Sequence, residues 1–232
     1  MKYSRILLKL SGQMLGGEGR GFSPEKAKKT VSEIKTVVDN GVQVSVLVGG
    51  GNFVRARSTE GVSRITADFM GMMGTVMNAL GLKDALKKAG IKARILSALK
   101  VENITESMVV EKAVHYLENN EVVIFAGGTG SPFFTTDTAA ALRALEIEAD
   151  ILLKATNVDG VYSADPAKDK TAKLFRGSLS YKKALRENLK IMDSSAFSIL
   201  SENRLKVHIF NFSKKGNLKR VVNGEDIGTV VK

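Results

Sequence analysis

The alternation of short apolar runs with longer helical patterns is the feature that most constrains how this chain can fold. Six runs rich in leucine or β-branched residues are typical of strands, and they cover residues 5–10, 42–48, 91–96, 122–126, 151–154 and 207–210. These runs are nearly continuous in apolar residues, as in strands covered on both faces. We therefore predict an α/β fold with a mainly parallel central sheet between layers of helices.

Helical patterns fill most of the intervals between the predicted strands. They cover residues 23–40, 65–89, 106–119, 181–187 and 194–202. Ser23 is placed to cap the first helix, and Pro24 suits its first turn. No linker, repeat or low-complexity tract interrupts the pattern, so we expect one domain over residues 1–232.

The predicted helix over residues 65–89 is apolar around more of its surface than one sheet face requires. Its large apolar residues at helical spacing are Phe69, Met72, Met73, Val76, Met77 and Leu80. Gly71 and Gly74 would allow another backbone to approach closely. We predict that this apolar stripe is buried partly in a contact between subunits, which makes the protein an oligomer.

Cysteine is absent from the 232 residues, and only two histidines occur, His115 and His208. This excludes disulfides and thiolate metal sites and disfavours a histidine-rich metal centre, so we expect any metal to arrive with a substrate. The apolar runs are shorter than the ~18 residues that a membrane helix needs. The beginning, MKYSRILLKLSG, lacks the pattern of a signal peptide, and we expect a cytoplasmic protein.

The formal net charge of +11 raises the question of nucleic-acid binding. The lysines occur as scattered pairs, without an arginine-rich tail or a zinc-finger spacing. This distribution favours a solvated surface that attracts small polyanions over a nucleic-acid interface. A basic nucleic-acid-binding or regulatory protein, whose glycine turns serve only as scaffolding, remains the alternative from another class.

Four polar or glycine-rich turns follow predicted strands. They are KLSG at 9–12, VGGGNFVR at 48–55, AGGTGSPFFTTD at 126–137 and KATNVDGVYSADP at 154–166. Because ligands of open parallel sheets collect beyond the carboxyl ends of the strands, these turns are expected to line one crevice. Glycine nests suit phosphates, and Phe133 and Phe134 add flat apolar area, so the expected ligand carries both a phosphate and a ring.

Two common nucleotide motifs are missing from the sequence. No G-x-x-x-x-G-K-[ST] occurs, and no G-x-G-x-x-G follows a strand and opens a helix. The remaining pattern has separate glycine turns with Lys9 and Arg55 beside them. Such an arrangement can hold two phosphate chains end to end while cations stabilise the transferred group, which is the chemistry of a kinase.

Several of these stretches are similar to those of the bacterial uridylate kinases, which belong to the amino acid kinase superfamily. The similar stretches are KLSG, GGGN, GTGSPFFTTD, EADILLKATNVDGVY followed by ADP, and MD at 192–193. The resemblance runs from about residue 4 to the carboxyl terminus, and GTGSPFFTTD is specific to these kinases. It implies an α/β/α sandwich that transfers the γ-phosphate of ATP to UMP in pyrimidine nucleotide biosynthesis, with Mg²⁺ accompanying ATP.

The resemblance also implies site residues. It assigns the ATP phosphates to Lys9, Leu10, Ser11 and Gly12, with Gly51 and Arg55 near the transferred group, and the ATP ribose and adenine to Thr156, Asn157, Tyr162 and Asp165. It assigns UMP to Gly50, Asp68, Thr129, Gly130, Ser131, Pro132, Phe133, Phe134, Thr135 and Thr136. The acceptor part is then roughly residues 1–149, and the ATP part is roughly residues 150–232.

Four residues are the catalytic candidates. Lys9 and Arg55 are expected to stabilise charge during transfer, whereas Asp137 and Asp193 would orient Lys9 or the waters around Mg²⁺. No protein metal ligand is expected, because Mg²⁺ would be held by substrate phosphates and water. On cap preferences alone, Thr136 and Asp137 could instead be a helix cap, and Asp165 before Pro166 could simply form a turn.

Regulation and assembly are also implied by the resemblance. It implies a hexamer built from dimers, activation by GTP and inhibition by UTP. The GTP candidates are Gly17, Glu18, Gly19, Arg20, Gly21, Phe22, Lys83, Lys87 and Arg94. At some of these positions relatives carry arginine or histidine, and lysine cannot reproduce the bidentate contacts of arginine. Within the same fold, a kinase for a carboxylate or carbamate is the nearest alternative, although such an enzyme needs no uracil pocket.

Overall fold

A nine-stranded sheet forms the centre of the molecule in the computed structural model, which describes residues 1–17, 21–54 and 61–232. The strands of the described residues are β1 (Arg5–Leu10), β2 (Gln43–Val48), β3 (Ala93–Ser97), β4 (Glu106–Ser107), β5 (Val122–Ala126), β6 (Ile151–Thr156), β7 (Val161–Tyr162), β8 (Leu174–Phe175), β9 (Gly177–Leu179), β10 (Val207–Asn211) and β11 (Thr229–Val231). All six predicted strands are present.

The strand order of the central sheet is β4-β3-β5-β2-β1-β6-β10-β11-β9. Among the described strands of this sheet, β10 and β11 are antiparallel to each other, and the other neighbouring pairs are parallel. The prediction of a mainly parallel sheet is therefore confirmed. Strands β7 and β8 form a separate antiparallel ribbon.

Helices cover both faces of the sheet, as predicted for a three-layer α/β/α sandwich. They are α1 (Pro24–Val38), α2 (Arg64–Lys88), α3 (Val110–Glu118), α4 (Thr136–Glu146), α5 (Tyr181–Arg186), α6 (Ser194–Glu202) and α7 (Asn217–Asn223). Alternate residues of β1 serve the two layers: Leu8 packs in the core with α1, α2 and α7, and Leu7 packs in the core with α3 to α6. The Ser23 side chain accepts a hydrogen bond from Lys26 N, which confirms the predicted cap of α1.

The predicted helix over residues 106–119 starts too early. Leu96 and Ser97 of β3 pair with Glu106 and Ser107, so these residues extend the sheet, and the helix begins only at Val110. The reason is that the backbone at this sheet edge is paired with β3, a tertiary contact that local periodicity cannot reveal. Strand β11, helix α7 and the short strands β7 to β9 were not predicted.

Helix α2 divides its apolar residues between the core and the outer surface. Met72 and Val76 are buried inside the chain, whereas its outer side exposes Ile65, Phe69, Met70, Met73, Met77 and Leu80, each by 40–48%. Gly74 is buried against Gly50 and Phe53, so this small residue serves a contact within the chain. The sequence pattern instead predicts a contact between subunits at this position. No helix in the described ranges is long and apolar enough to cross a membrane.

Candidate active site

Four turns meet along one edge of the sheet because β5, β2, β1 and β6 are neighbours and run parallel. The carboxyl ends of these strands lead into the turns beginning near Gly127, Gly49, Ser11 and Asn157. The four turns therefore lie at the same edge of the sheet, as expected from the sequence, and two of them, the GGGN turn and the loop after β5, line the pocket described below. Leu10 O accepts a hydrogen bond from Gly49 N over 2.9 Å, which joins the first two turns directly.

A reciprocal pair of buried amides fixes the GGGN turn. Asn78 Nδ2 donates to Asn52 Oδ1 over 2.7 Å, and Asn52 Nδ2 donates to Asn78 Oδ1 over 3.0 Å. Asn78 also donates to Gly49 O over 2.7 Å, and Asn52 donates to Gly21 O over 2.9 Å. These bonds tie α2 to the turn. A Cβ on Gly12 would overlap Asn52 Oδ1, which explains why glycine follows Ser11.

An open pocket of about 520 Å³ lies between the GGGN turn, helix α2 and the loop after β5. Its lining includes these residues of the predicted UMP and ATP sets: Gly50, Gly51, Asp68, Thr129, Ser131, Phe134, Thr135 and Thr136. Gly130, Pro132 and Phe133 belong to the same loop, although they are not among its lining residues. We call this cavity the acceptor pocket.

Asp68 of α2 holds the loop on the far side of the acceptor pocket. Its Oδ2 accepts hydrogen bonds from Phe133 N and from Arg64 Nε, each over 2.8 Å. The Arg64 guanidinium also lies 5.8 Å from the centroid of the Phe133 ring. Phe133 has a φ of 72°, an unusual value for a residue with a side chain, so the bond to Asp68 supports a strained backbone.

The loop presents its two phenylalanines outward. Phe133 is 64% exposed, and Phe134 is 51% exposed. At the start of the loop, Gly127 N donates to Thr75 Oγ1 over 2.7 Å, and Gly127 has a φ of 76°. A Cβ on Gly127 would crowd the backbone nitrogens of residues 98 and 99, so both the conformation and the space require glycine here.

A charged cluster lies next to the acceptor pocket, at the first turn of α4. Lys9 Nζ is 2.7 Å from Asp137 Oδ1, and Lys154 Nζ donates to Asp137 Oδ2 over 2.7 Å. Lys9 of β1 stands directly opposite Lys154 of β6 in the parallel pairing. The carboxylate therefore bridges two ammonium groups on adjacent strands.

Burial and charge oppose each other at Asp137. Burial acts to raise its pKa, but the ammonium groups of Lys9 and Lys154 together hold the pKa below its usual range. Burial lowers the pKa of Lys154, and the nearby Lys9 adds to this effect, while Asp137 opposes it. The pKa values of Asp137 and Lys154 therefore depend on each other and on the charge of Lys9.

Asp193 joins this cluster to α6. It caps that helix by accepting from Ala196 N over 3.0 Å, and it accepts from the hydroxyls of Thr135 and Thr138. Thr135 is the cap of α4, since its hydroxyl accepts from Asp137 N and Thr138 N. The cap that was considered as the alternative role of Thr136 and Asp137 is therefore formed by Thr135, and Asp137 uses its carboxylate for the two lysines.

The residues predicted to bind the ATP nucleoside follow β6. Thr156 Oγ1 lies within hydrogen-bond distance of two acceptors, Val158 O at 2.8 Å and Phe210 O at 3.0 Å, and the exposed Asn157 comes next. Tyr162 lies half-buried in β7. Asp165 is exposed, and its Oδ1 accepts from Ala167 N over 3.0 Å, which is the turn geometry considered as the alternative for this residue.

Some predicted residues fall outside the described part of the chain. They are Arg55 of the catalytic set and Glu18, Gly19 and Arg20 of the GTP set. Of the other GTP candidates, Gly17 N donates to Gly21 O over 3.4 Å, and Phe22 packs on Gly81.

The three basic GTP candidates lie on α2 and β3. Lys83 and Lys87 belong to the last turns of α2, and Arg94 belongs to β3. Arg94 Nε lies 2.6 Å from Glu121, and this hydrogen bond raises the pKa of the guanidinium. Arg94 also stacks 5.0 Å from the Tyr116 ring, so its guanidinium is already engaged within the chain.

Sequence reasoning missed three side chains that shape this site. Lys154 lay within a quoted motif but received no role, although a lysine inside the apolar run ILLKA was a usable signal. Arg64 lies four residues before Asp68 on α2, and this spacing of opposite charges was also a usable signal. Asn78 gave no such signal, because its partners in the GGGN turn are brought to it by the packing of α2 on that turn.

The fold and this site define the class of the protein. Residues 4–211 match the amino acid kinase family, and the chain belongs to that family. Among solved structures it is similar to the UMP kinase from Bacillus anthracis, with 36% identity and a TM-score of 0.95, covering 100% of this chain and 97% of that chain.

Two further solved structures are similar over the full length of both chains. The UMP kinase from Ureaplasma parvum is 33% identical, with a TM-score of 0.92 and 100% coverage of each chain. The uridylate kinase from Archaeoglobus fulgidus is 31% identical, with a TM-score of 0.76 and again 100% coverage of each chain.

Proposed function

We propose that this chain is a UMP kinase that transfers the γ-phosphate of ATP to UMP, giving UDP and ADP. The observation that supports the proposal most strongly is that the acceptor pocket lies directly beside the charged cluster. Thr136 lines the pocket, and the next residue, Asp137, holds Lys9. An acceptor phosphate in the pocket would therefore meet an ammonium group beside it. The similarity to three UMP or uridylate kinases supports UMP as the acceptor.

The acceptor pocket suits a nucleoside monophosphate. Its glycine turns offer backbone N–H groups to a phosphate, and its hydroxyls at Thr129, Ser131 and Thr135 offer polar contacts to a base. Asp68 has two carboxylate oxygens, and Oδ2 accepts both hydrogen bonds described above. We assign Oδ1 to the ribose hydroxyls of UMP.

The reaction forms a bond between an oxygen of the UMP phosphate and the γ-phosphorus of ATP. The bond from that phosphorus to the β,γ-bridging oxygen breaks, and the electron pair leaves on ADP. The protein has to align the two nucleotides and stabilise the moving charge. We assign the stabilisation to Lys9 and Arg55, and the orientation of Lys9 to Asp137.

Magnesium fits this site as a companion of ATP. Asp137 is engaged by two lysines, and Asp193 is engaged by a helix cap and two hydroxyls, so these carboxylates are already used within the chain. Mg²⁺ would accordingly be bound by phosphate oxygens and water, where it neutralises phosphate charge. We place the ATP phosphates at residues 9–12 and Gly51, and the nucleoside at Thr156, Asn157, Tyr162 and Asp165.

The proposal also covers assembly and regulation. The exposed apolar side of α2 fits a contact with a second copy of the chain, and the resemblance adds a hexamer of dimers. Activation by GTP and inhibition by UTP follow from the same resemblance. Asp68 lies on α2, so a contact there would connect the acceptor pocket with a neighbouring subunit.

A substrate panel tests the proposal. Purified protein with Mg²⁺ and ATP is given UMP, CMP, dTMP, glutamate or aspartate, and the release of ADP is followed. We expect rapid turnover of UMP and little of the others, because CMP presents a donor where uracil has an acceptor, and dTMP lacks the 2′-hydroxyl. Equal rates with CMP would exclude a uracil-matched pocket, and preference for an amino acid would favour a carboxylate kinase.

A further inference from the structure

Lys154 is a buried ammonium group for which the proposed reaction has no role so far. Its side chain is 16% exposed, and it donates to two acceptors, Asp137 Oδ2 over 2.7 Å and Ile191 O over 2.6 Å. Isolated buried ammonium groups are costly, so a lysine retained in such a place needs compensating partners. Those two partners lie in α4 and in the turn before α6, the elements that carry Asp137 and Asp193.

The pairing of β1 with β6 puts Lys154 next to Lys9. The two residues are direct partners in the parallel register, and both side chains lie on the α4 side of the sheet. Two ammonium groups so placed repel each other unless a negative charge lies between them. Asp137 supplies that charge and gives one carboxylate oxygen to each lysine.

The division of the Asp137 oxygens has a consequence for Lys9. A carboxylate with a single cation beside it can turn both oxygens toward that cation, whereas Lys154 keeps Oδ2 occupied. Lys9 is then neutralised by one oxygen only, and its remaining N–H donors stay available to a phosphate. We propose that Lys154 is a positioning residue that fixes the Asp137 carboxylate and thereby keeps the Lys9 ammonium directed at the transferred phosphoryl group.

The expected effect on kcat rests on the proposed function, whereas the expected effect on the Asp137 carboxylate does not. The charged groups that act on Lys154 are Lys9 on β1, Asp137 on α4 and Asp193 at the start of α6. Removal of the Lys154 charge leaves Asp137 with one cation. The pKa of the Asp137 carboxyl then rises, and the acid limb of the kcat profile moves to higher pH.

The test compares Lys154→Met, Lys154→Arg and the control Lys92→Met. Lys92 is exposed and precedes β3, at the amino-terminal edge of the sheet and away from the turns. We expect Lys154→Met to lower kcat about 10- to 100-fold with little change in the KM for either nucleotide. Lys154→Arg should recover part of the loss, and Lys92→Met should match the wild type.

A second readout needs no substrate. Carbon-13 NMR of the Asp137 carboxyl follows its titration in the wild type and the variants. We expect the pKa to be higher in Lys154→Met and nearly restored in Lys154→Arg. An unchanged pKa, or wild-type kcat in a folded Lys154→Met protein, would overturn the inference.

The two readouts separate this inference from the proposed function. If Lys154→Met does not fold, Lys154→Arg and Lys154→Gln are compared in its place, and equal kcat in these two would overturn the positioning role. A loss of stability without any kcat effect would make Lys154 a structural brace only, which also overturns it. If the wild type fails to phosphorylate UMP, the proposed function is wrong, and the Asp137 titration alone decides the role of Lys154.

Discussion

The carboxylate of Asp68 accepts a hydrogen bond from the backbone N–H of Phe133 over 2.8 Å, which joins helix α2 to the loop across the acceptor pocket. A residue assigned to a ribose hydroxyl therefore also holds the loop that encloses the ligand. Binding of the acceptor and ordering of the loop are connected through one side chain. Substitutions at Asp68 should consequently affect both.

The first prediction concerns this double role. Asp68→Ala should raise the KM for UMP at least about tenfold, because it removes a charged acceptor of hydrogen bonds. It should also speed hydrogen exchange at the Phe133 amide. Arg64→Ala is the comparison variant, since it removes the ion pair to Asp68 and the guanidinium beside the Phe133 ring but leaves the bond to Phe133 N. Steady-state kinetics and exchange mass spectrometry measure both effects, and equal behaviour of the two variants would contradict the loop-holding role.

The second prediction concerns Lys9. Lys9→Met should lower kcat by about 100-fold or more while changing the KM for ATP much less, because the lost charge matters most as the phosphoryl group moves. Lys35→Met is the control, because Lys35 is an exposed residue of α1 paired with Asp39. Initial-rate kinetics and circular dichroism decide the outcome. Near-normal turnover in a folded Lys9→Met protein would remove Lys9 from the mechanism.

The third prediction compares two glycines that meet where α2 crosses the GGGN turn. A Cβ on Gly50 would overlap Gly71 O, whereas among the described residues a Cβ on Gly71 would have only Val54 O near it, at 4.0 Å. Gly50→Ala should therefore destabilise the protein by about 1–3 kcal/mol. Gly71→Ala should be neutral or stabilise α2 by up to about 1 kcal/mol. Urea unfolding of both variants measures the difference, and equal midpoints would contradict the close packing of α2 on the turn.

The fourth prediction concerns pH. His208 is buried, and burial lowers its pKa, although the hydrogen bond to Ile227 O and the charge of Asp226 oppose this effect. Lys2 adds to the lowering. The unfolded chain therefore binds a proton near its ordinary pKa of about 6.5 while the folded chain still excludes it, so stability falls as pH drops below that value.

His208→Gln removes this titration. We expect its free energy of unfolding to vary less between pH 7.5 and pH 5 than that of the wild type. Urea unfolding at several pH values gives the comparison. His115→Gln is the control, because His115 lies on the exposed side of α3. A parallel pH dependence in the His208→Gln and wild-type proteins would exclude His208 as the source.

The fifth prediction concerns the outer side of α2. Met73 and Met77 are 42% and 44% exposed, one helical turn apart. If this side is a subunit contact, the wild type should sediment well above its chain mass of 25.0 kDa at micromolar concentration. The double substitution Met73→Lys with Met77→Lys should give smaller species. A wild-type protein that sediments as a single 25.0 kDa species would exclude the contact.

The strands and the order of the turns could be predicted from the sequence, but the register between strands that are far apart along the chain could not. Continuous apolar runs such as ILLKL in β1 identify buried strands by themselves. The pairing of Lys9 with Lys154 depends on which strands become neighbours, and local periodicity contains no such information. Lys9 was predicted as a cation of the site from its place beside a glycine turn, whereas the pairing that brings Lys154 next to it could not be predicted.

Short elements near the end of the chain were missed for a related reason. Strand β11 has three residues, and its Thr229 hydroxyl is occupied by backbone groups of residues 161 and 175. So short a run gives no periodicity to detect. Its identity as a strand comes from pairing with β9 and β10, which is a property of the assembled sheet.

The amide pair of Asn52 and Asn78 makes the anchoring of the GGGN turn independent of ionisation. Neither side chain gains or loses a proton in the working range of pH, and neither interaction is screened by dissolved ions as a surface ion pair would be. The Lys9, Asp137 and Lys154 cluster has the opposite character, because all three side chains are ionisable groups. If pH changes the catalytic rate, we expect the turn to keep its geometry and the response to originate in the ionisable groups beside it.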